Sequence, residues 1–76
     1  MADEATELIV QFGLNVRRYR TEAALSQEAL ADRAGLDRTY VSGCERGLRN
    51  PSLRTIEKIA RALVVAPSRL LESKDV

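Results

Sequence analysis

The chain of 76 residues has no histidine and a single cysteine, Cys44. Without histidine, zinc-finger ligand spacings and ordinary imidazole catalysis are excluded, and one thiol cannot close an internal disulfide. No apolar run approaches the roughly 18 residues of a membrane span, and Asp3, Glu4 and Glu7 give the start a charge opposite to that of a signal peptide. These absences point to a cytoplasmic chain, away from membranes, with no metal and no cofactor. Strand signals, repeats, low-complexity segments and long linkers are missing as well, so residues 1–76 read as one all-α domain. Nothing supplies an activated nucleophile or a phosphate-cradling loop, and Glu45 and Glu57 do not make a catalytic pair, so no enzyme is expected. A core this small contributes only about 3–5 kcal/mol of stability without a disulfide, a metal or a partner. A second subunit is therefore plausible before any motif is considered.

What the chain does have is charge, unevenly placed. Residues 1–32 carry three arginines against six carboxylates, a net of −3, whereas residues 33–61 carry seven basic groups against three acidic ones, a net of +4. Concentrated positive potential of this kind suits phosphate, although a solvated mixed-charge face has the same composition.

Helical spacing organises the whole chain. Leu8, Phe12, Val16, Tyr19 and Ala23 recur every three or four residues and predict a first helix over about Asp3 to Glu22 with one buried stripe. Ser26 is placed to cap a second helix, Gln27 to Ala34, which turns Leu30, Ala31 and Ala34 inward beside Leu25; Gly35 supplies the positive φ that ends it. Asp37 caps a third helix, about Arg38 to Arg46, burying Leu36, Val41 and Cys44. Gly47 ends that helix, and Ser52 caps a fourth with Leu53, Ile56, Ile59, Ala60 and Leu63 on its inner side. Pro67 suits the first position of a short fifth helix, Pro67 to Glu72, and residues 73–76 form a frayed tail. The expected architecture is a compact five-helix bundle.

Two short helices joined by so brief a turn at Gly35 form a helix-turn-helix, in which the second helix lays side chains along DNA. Arg38, in its first turn, can donate two parallel bonds to guanine O6 and N7; the bland alternative is a surface arginine paired with Asp37 or a phosphate. Thr39 and Ser42 can place a hydroxyl or a methyl against a base edge, with plain solvation as the alternative. The Tyr40 hydroxyl can reach a phosphate or sugar, or the ring can lie half buried beside Val41. Gln27 opens the preceding helix, where it can bond a phosphate while bracing the reading helix. Arg46, Arg49 and Asn50 follow and are expected to bind phosphates, the alternative being exposed loop residues. Cys44, on the inward stripe, reads as a small buried hydrophobe and not as a redox sensor. Val65, Ala66, Leu70 and Leu71, together with the outer face of the fourth helix, are the expected dimer surface, since they follow the core and would otherwise leave an apolar patch.

The run Ser26-Gln27-Glu28-Ala29-Leu30-Ala31 followed by Gly35-Leu36 resembles the phage-repressor and Cro-like helix-turn-helix family, whose fold is lambda-repressor-like, over about residues 8–72. Within it, Leu36 to Gly43, Glu45-Arg46-Gly47, Arg49-Asn50 and Ser52-Leu53 are most similar to controller proteins of restriction-modification systems. That resemblance implies a homodimeric transcription regulator bound to palindromic operator DNA, and it admits RNA polymerase as a further partner. It also implies a partly buried ion pair between Arg20 and Glu45 that orients the reading helix. A phage repressor, an antitoxin-type regulator, or a helical interaction module without DNA binding are the alternatives. Two departures stand out, because Ala24 and Val64 occupy places where the family usually has glycine. A β-branched residue is costly at φ > 0, so Val64 is expected to force a different ending on the fourth helix. Cys44 also stands where an aliphatic residue is commoner, which suggests a slightly underfilled core.

Overall fold

The computed structural model describes residues 4–73, with side chains from Glu7 onward. Helix α1 spans Glu4–Glu22, α2 Gln27–Ala34, α3 Arg38–Glu45 and α4 Leu53–Leu63, followed by a 3-10 segment at Pro67–Leu71. No strand occurs among the described residues. The expected helix start at Asp3 and the tail residues 74–76 lie outside them.

The fifth helix is thus a 3-10 turn, and among the described residues the bundle has four α-helices instead of five. Five residues opened by Pro67 and lacking a side-chain cap leave too few hydrogen bonds to propagate an α-helix. The tighter bond from the Arg69 N–H to the Ala66 carbonyl, 2.9 Å, forms in its place.

Each cap is the one the residue types favour. The Ser26 hydroxyl accepts from the Ala29 amide at 3.0 Å, Asp37 Oδ1 from the Thr39 amide at 3.3 Å, and the Ser52 hydroxyl from the Thr55 amide at 3.1 Å. All four helices also end alike, through paired bonds around a left-handed residue: Ala24, Gly35, Gly47 and Val64. The residue after each is apolar, and Leu25, Leu36 and Val65 pack on the core.

Val64 therefore does not alter the ending of α4. It takes φ 59° and ψ 46°, its N–H donates to Arg61 at 3.1 Å, and the Val65 N–H donates to Ala60 at 3.0 Å. Val64 is 86% exposed, and the two bonds and the packing of Val65 on the core outweigh a backbone strain of about 1–2 kcal/mol. Val64→Gly is expected to raise stability by about 1 kcal/mol, because relief of that strain exceeds the added chain entropy. Thermal unfolding checks this. A variant that melts at or below the parent temperature would show that the strain stored there does not exceed the entropy cost of glycine.

The core is one cluster built from every element. Phe12 and Val16 of α1, Leu30 and Ala31 of α2, Val41 and Cys44 of α3, Ile59 and Leu63 of α4, and Leu70 of the 3-10 segment are all buried. Cys44 is fully enclosed, and burial pushes its thiol above the ordinary value. Three expected core residues lie elsewhere. Leu8, near the start of α1, and Ala23, in the turn just after it, are exposed. Leu53, the first residue of α4, is 82% exposed.

Helix α1 is the centre of the arrangement. It packs against α3, against the 3-10 segment and against α4, while α2 packs on α3 and α4. The sequence of contacts explains why its buried face is wider than one stripe and includes Gly13 and Asn15.

Candidate nucleic-acid interface

The reading helix is positioned from behind by small side chains. Ala31 of α2 is 2% exposed and packs in the core with Val41 and Cys44 of α3. A larger group at this place would hold the two helices apart. Gly13 of α1 lies directly against the main chain at the end of α3. A Cβ at Gly13 would overlap the Cys44 carbonyl oxygen and come within 3.0 Å of the Glu45 carbonyl oxygen. Sequence reasoning missed Gly13, although a glycine inside a helix, which costs about 1 kcal/mol relative to alanine, is itself a sign of close packing.

The end of α3 is also held by charge. Arg20 Nε donates to Glu45 Oε2 at 2.6 Å and Arg20 Nη2 to Glu45 Oε1 at 3.0 Å, a two-pronged contact. Arg20 Nη1 donates to the Leu25 carbonyl at 2.8 Å, and Gln27 Nε2 donates to Glu45 Oε1 at 3.0 Å. Hydrogen bonding to Glu45 raises the pKa of Arg20 above its already high ordinary value. The side chains are only 12% and 3% exposed, so this network joins α1, α2 and α3 inside the molecule. Gln27 braces the reading helix by this bond, and its amide keeps a second N–H for another acceptor.

The free side of α3 carries the expected polar strip. Arg38 and Thr39 are exposed and Ser42 is half buried. One helical turn separates Arg38 from Ser42, which puts them on the same side. Asp37 is engaged with the Thr39 amide, and among the described residues no ion pair holds Arg38. Tyr40 is half buried against the core, with the Arg49 guanidinium 5.4 Å from the centre of its ring. A Cβ at Gly43 would lie 3.0 Å from Arg49 Cγ and Nε, so Gly43 makes the room that lets Arg49 cross α3. Gly43 was also missed from sequence, because its neighbour lies six residues on. Arg46, Arg49 and Asn50 are exposed at the end of α3 and in the loop that follows.

The surface expected to join two subunits is only partly available. Leu70 is fully buried in the chain's own core and has nothing to offer a partner, because successive residues of a 3-10 turn point about 120° apart and Leu70 takes the inward place. Val65 and Leu71 are half buried, and Ala66 is exposed. Leu71 instead lines a groove of about 220 Å³ together with Leu8, Phe12, Pro51, Leu53 and Ile56. A second depression, beyond Leu53, is lined by Leu53, Ile56, Glu57, Pro67 and Leu71. Among the described residues no group of three or more histidine, cysteine or carboxylate side chains could hold a metal ion. No described helix is long and apolar enough to cross a membrane.

A capped pair of short helices, crossed at a glycine turn, with the second helix locked behind and polar in front, is the architecture of a helix-turn-helix reader. The chain belongs to the helix-turn-helix family, which it matches over residues 16–70. It is similar to Control protein C.BamHI of Bacillus amyloliquefaciens, with 52% identity over 62 residues covering 80% of this chain and 76% of that protein. The crystal structure of the restriction-modification controller protein C.AhdI from Aeromonas hydrophila superposes with a TM-score of 0.80 at 53% identity, over 82% of this chain and 94% of that one. The hypothetical transcription factor NHTF from Neisseria has a TM-score of 0.88 at 43% identity, over 99% of this chain and 85% of that one.

Proposed function

We propose that this chain is a sequence-specific DNA-binding transcription regulator, a restriction-modification controller, which binds palindromic operators as a homodimer in the cytoplasm and has no catalytic role. The observation that carries this reading is the division of α3 into a locked side and a free one. Gly13, Ala31 and the Arg20–Glu45 pair fix the rod, while Arg38 and Thr39 are exposed, Ser42 is half buried beside them, and no ion pair among the described residues holds Arg38. Arg38 reads a guanine in the major groove, and Thr39 and Ser42 read the neighbouring base edges. Gln27, Tyr40, Arg46, Arg49 and Asn50 bind phosphates on either side and set the register. The similarity to C.BamHI and C.AhdI supports the controller assignment over a repressor or antitoxin of the same fold. RNA polymerase is the further partner that such a regulator must meet at a promoter.

Two subunits join through Leu53, Leu71, Val65 and Ala66. Leu53 stands out between two apolar depressions, so the Leu53 of one subunit can enter the groove of the other in a self-complementary contact. The two reading helices then meet half-sites about one helical turn, roughly 34 Å, apart.

Operator mutants test the readout. Arg38→Ala is expected to cost about 1–3 kcal/mol of binding and to relax discrimination at one base pair, whereas Gln27→Ala weakens binding to all sequences alike. Titration of labelled duplexes at several salt concentrations measures both. An even loss across operator mutants for both variants would overturn the assignment of Arg38, and a shift with no salt dependence would overturn DNA binding through phosphates.

A further inference from the structure

We propose that Asn15 is a positioning residue that sets the half-site spacing this protein accepts, by tying the dimer-forming segment to the helix that carries the DNA reader. The inference rests on the homodimer reading above and names what regulates its geometry. Asn15 is 2% exposed in the middle of α1, among apolar neighbours Phe12 and Val16. Both hydrogens of its amide are spent on the same short segment: Nδ2 donates to the Leu70 carbonyl at 2.8 Å and to the Glu72 carbonyl at 2.9 Å. Gln11 Nε2 donates to Asn15 Oδ1 at 3.2 Å, which keeps the amide from turning over. A 3-10 turn leaves its last carbonyls without partners inside the turn, so these two bonds act as a cap supplied from another helix.

Position along α1 gives this bond its consequence. Gly13 touches the end of the reading helix, and Asn15, about 200° further round the same helix, touches the segment that carries Leu71. The path from reader to dimer surface therefore crosses a single helix within three residues. A path that short transmits orientation rigidly. If the 3-10 segment tilts, the two reading helices change their separation while each keeps its own base contacts.

Spacing is therefore the quantity to measure. The parent protein, Asn15→Asp and Asn15→Ser are used to select duplexes from a pool in which two fixed half-sites are separated by spacers of varied length, and their dimer dissociation constants are measured by sedimentation. Asn15→Asp keeps the shape but turns an acceptor toward two carbonyls, and Asn15→Ser keeps one short donor for the case in which the aspartate variant fails to fold. The expected result is a broader or displaced spacer preference, dimerisation weakened about tenfold, and unchanged base preference within each half-site. A general loss of stability would lower affinity without moving the preferred spacer. Folded variants that keep the parent spacer would overturn the proposal, as would a changed base preference within the half-site, which places the effect in the reading helix. A parent protein that stays monomeric and binds single half-sites overturns the dimer reading itself, and the role of Asn15 falls with it.

Discussion

Arg20→Ala is expected to lower the unfolding free energy by about 3–5 kcal/mol, far more than Arg38→Ala on the free side of α3. The reason is the state in which Glu45 is left. Its carboxylate is 3% exposed and receives two of its three donors from Arg20, so the variant strands a charge with the Gln27 amide as its one remaining donor. The Leu25 carbonyl loses its donor in the same step. A chain of this size has a total stability on the order of 4–11 kcal/mol, so the variant lies near the edge of folding. At roughly 4 °C per kcal/mol or more, the melting temperature falls by at least about 12 °C. Arg38→Ala, on an exposed residue without an ion pair, changes stability by no more than about 0.5 kcal/mol. Equal melting temperatures for the two variants would show that the pair has no orienting role.

Two controls separate the origin of the loss. Arg20→Lys keeps the charge but cannot supply the planar two-pronged contact, so it is expected to recover only part of the stability. The double variant Arg20→Ala with Glu45→Ala removes the stranded charge and is expected to be more stable than Arg20→Ala alone. The arginine contributes no pH dependence in the working range. Its pKa is raised in the folded protein, so the stability it adds is complete below the ordinary arginine value and is lost only as pH rises through the still higher folded one.

Gly13→Ala is expected to destabilise the protein by about 2–3 kcal/mol, against a helix propensity that favours alanine by about 1 kcal/mol. The added methyl meets main-chain atoms of Cys44 and Glu45, which cannot rotate away as a side chain would. Relief requires α1 and α3 to separate. That movement displaces the reading helix and stretches the Arg20–Glu45 contact, so specific operator affinity is expected to fall about tenfold even at temperatures where the variant is folded. Denaturant unfolding and operator titration together give the answer. A variant that gains stability, as propensity alone demands, would mean that the two helices have slack at this point.

Much of this molecule can be read from local signals. Ser26, Asp37 and Ser52 cap where their side chains can reach a free amide a few residues on, and Gly35 turns left-handed where a glycine is easiest. Such effects depend on neighbours within one turn, and spacing reveals them. The outward placement of Arg38 and Thr39 follows from the same local periodicity once Val41 and Cys44 are assigned inward. Failures cluster where the deciding atom is distant in sequence. Leu53 was assigned to the inner stripe of the fourth helix and Leu70 to the dimer surface, yet the first is exposed and the second enclosed, because coverage depends on which element lies across from them. Val64 defeats the simple rule on β-branched residues because bonds to Ala60 and Arg61, and the burial of Val65, outweigh a modest strain.

The linear order of residues by itself determined the starts of α2, α3 and α4, the helix-turn-helix at Gly35 and the side of α3 that stays free, since caps, turns and periodicity act over a few residues. Tertiary structure alone decided that Gly13 is the seat of the reading helix, that Gly43 makes room for Arg49, that Asn15 caps the 3-10 segment, and that Leu53 stands outside the core. The physical reason is the range of the forces involved. Close packing and buried hydrogen bonds join residues up to 57 positions apart, and their partners come together only when the chain has folded.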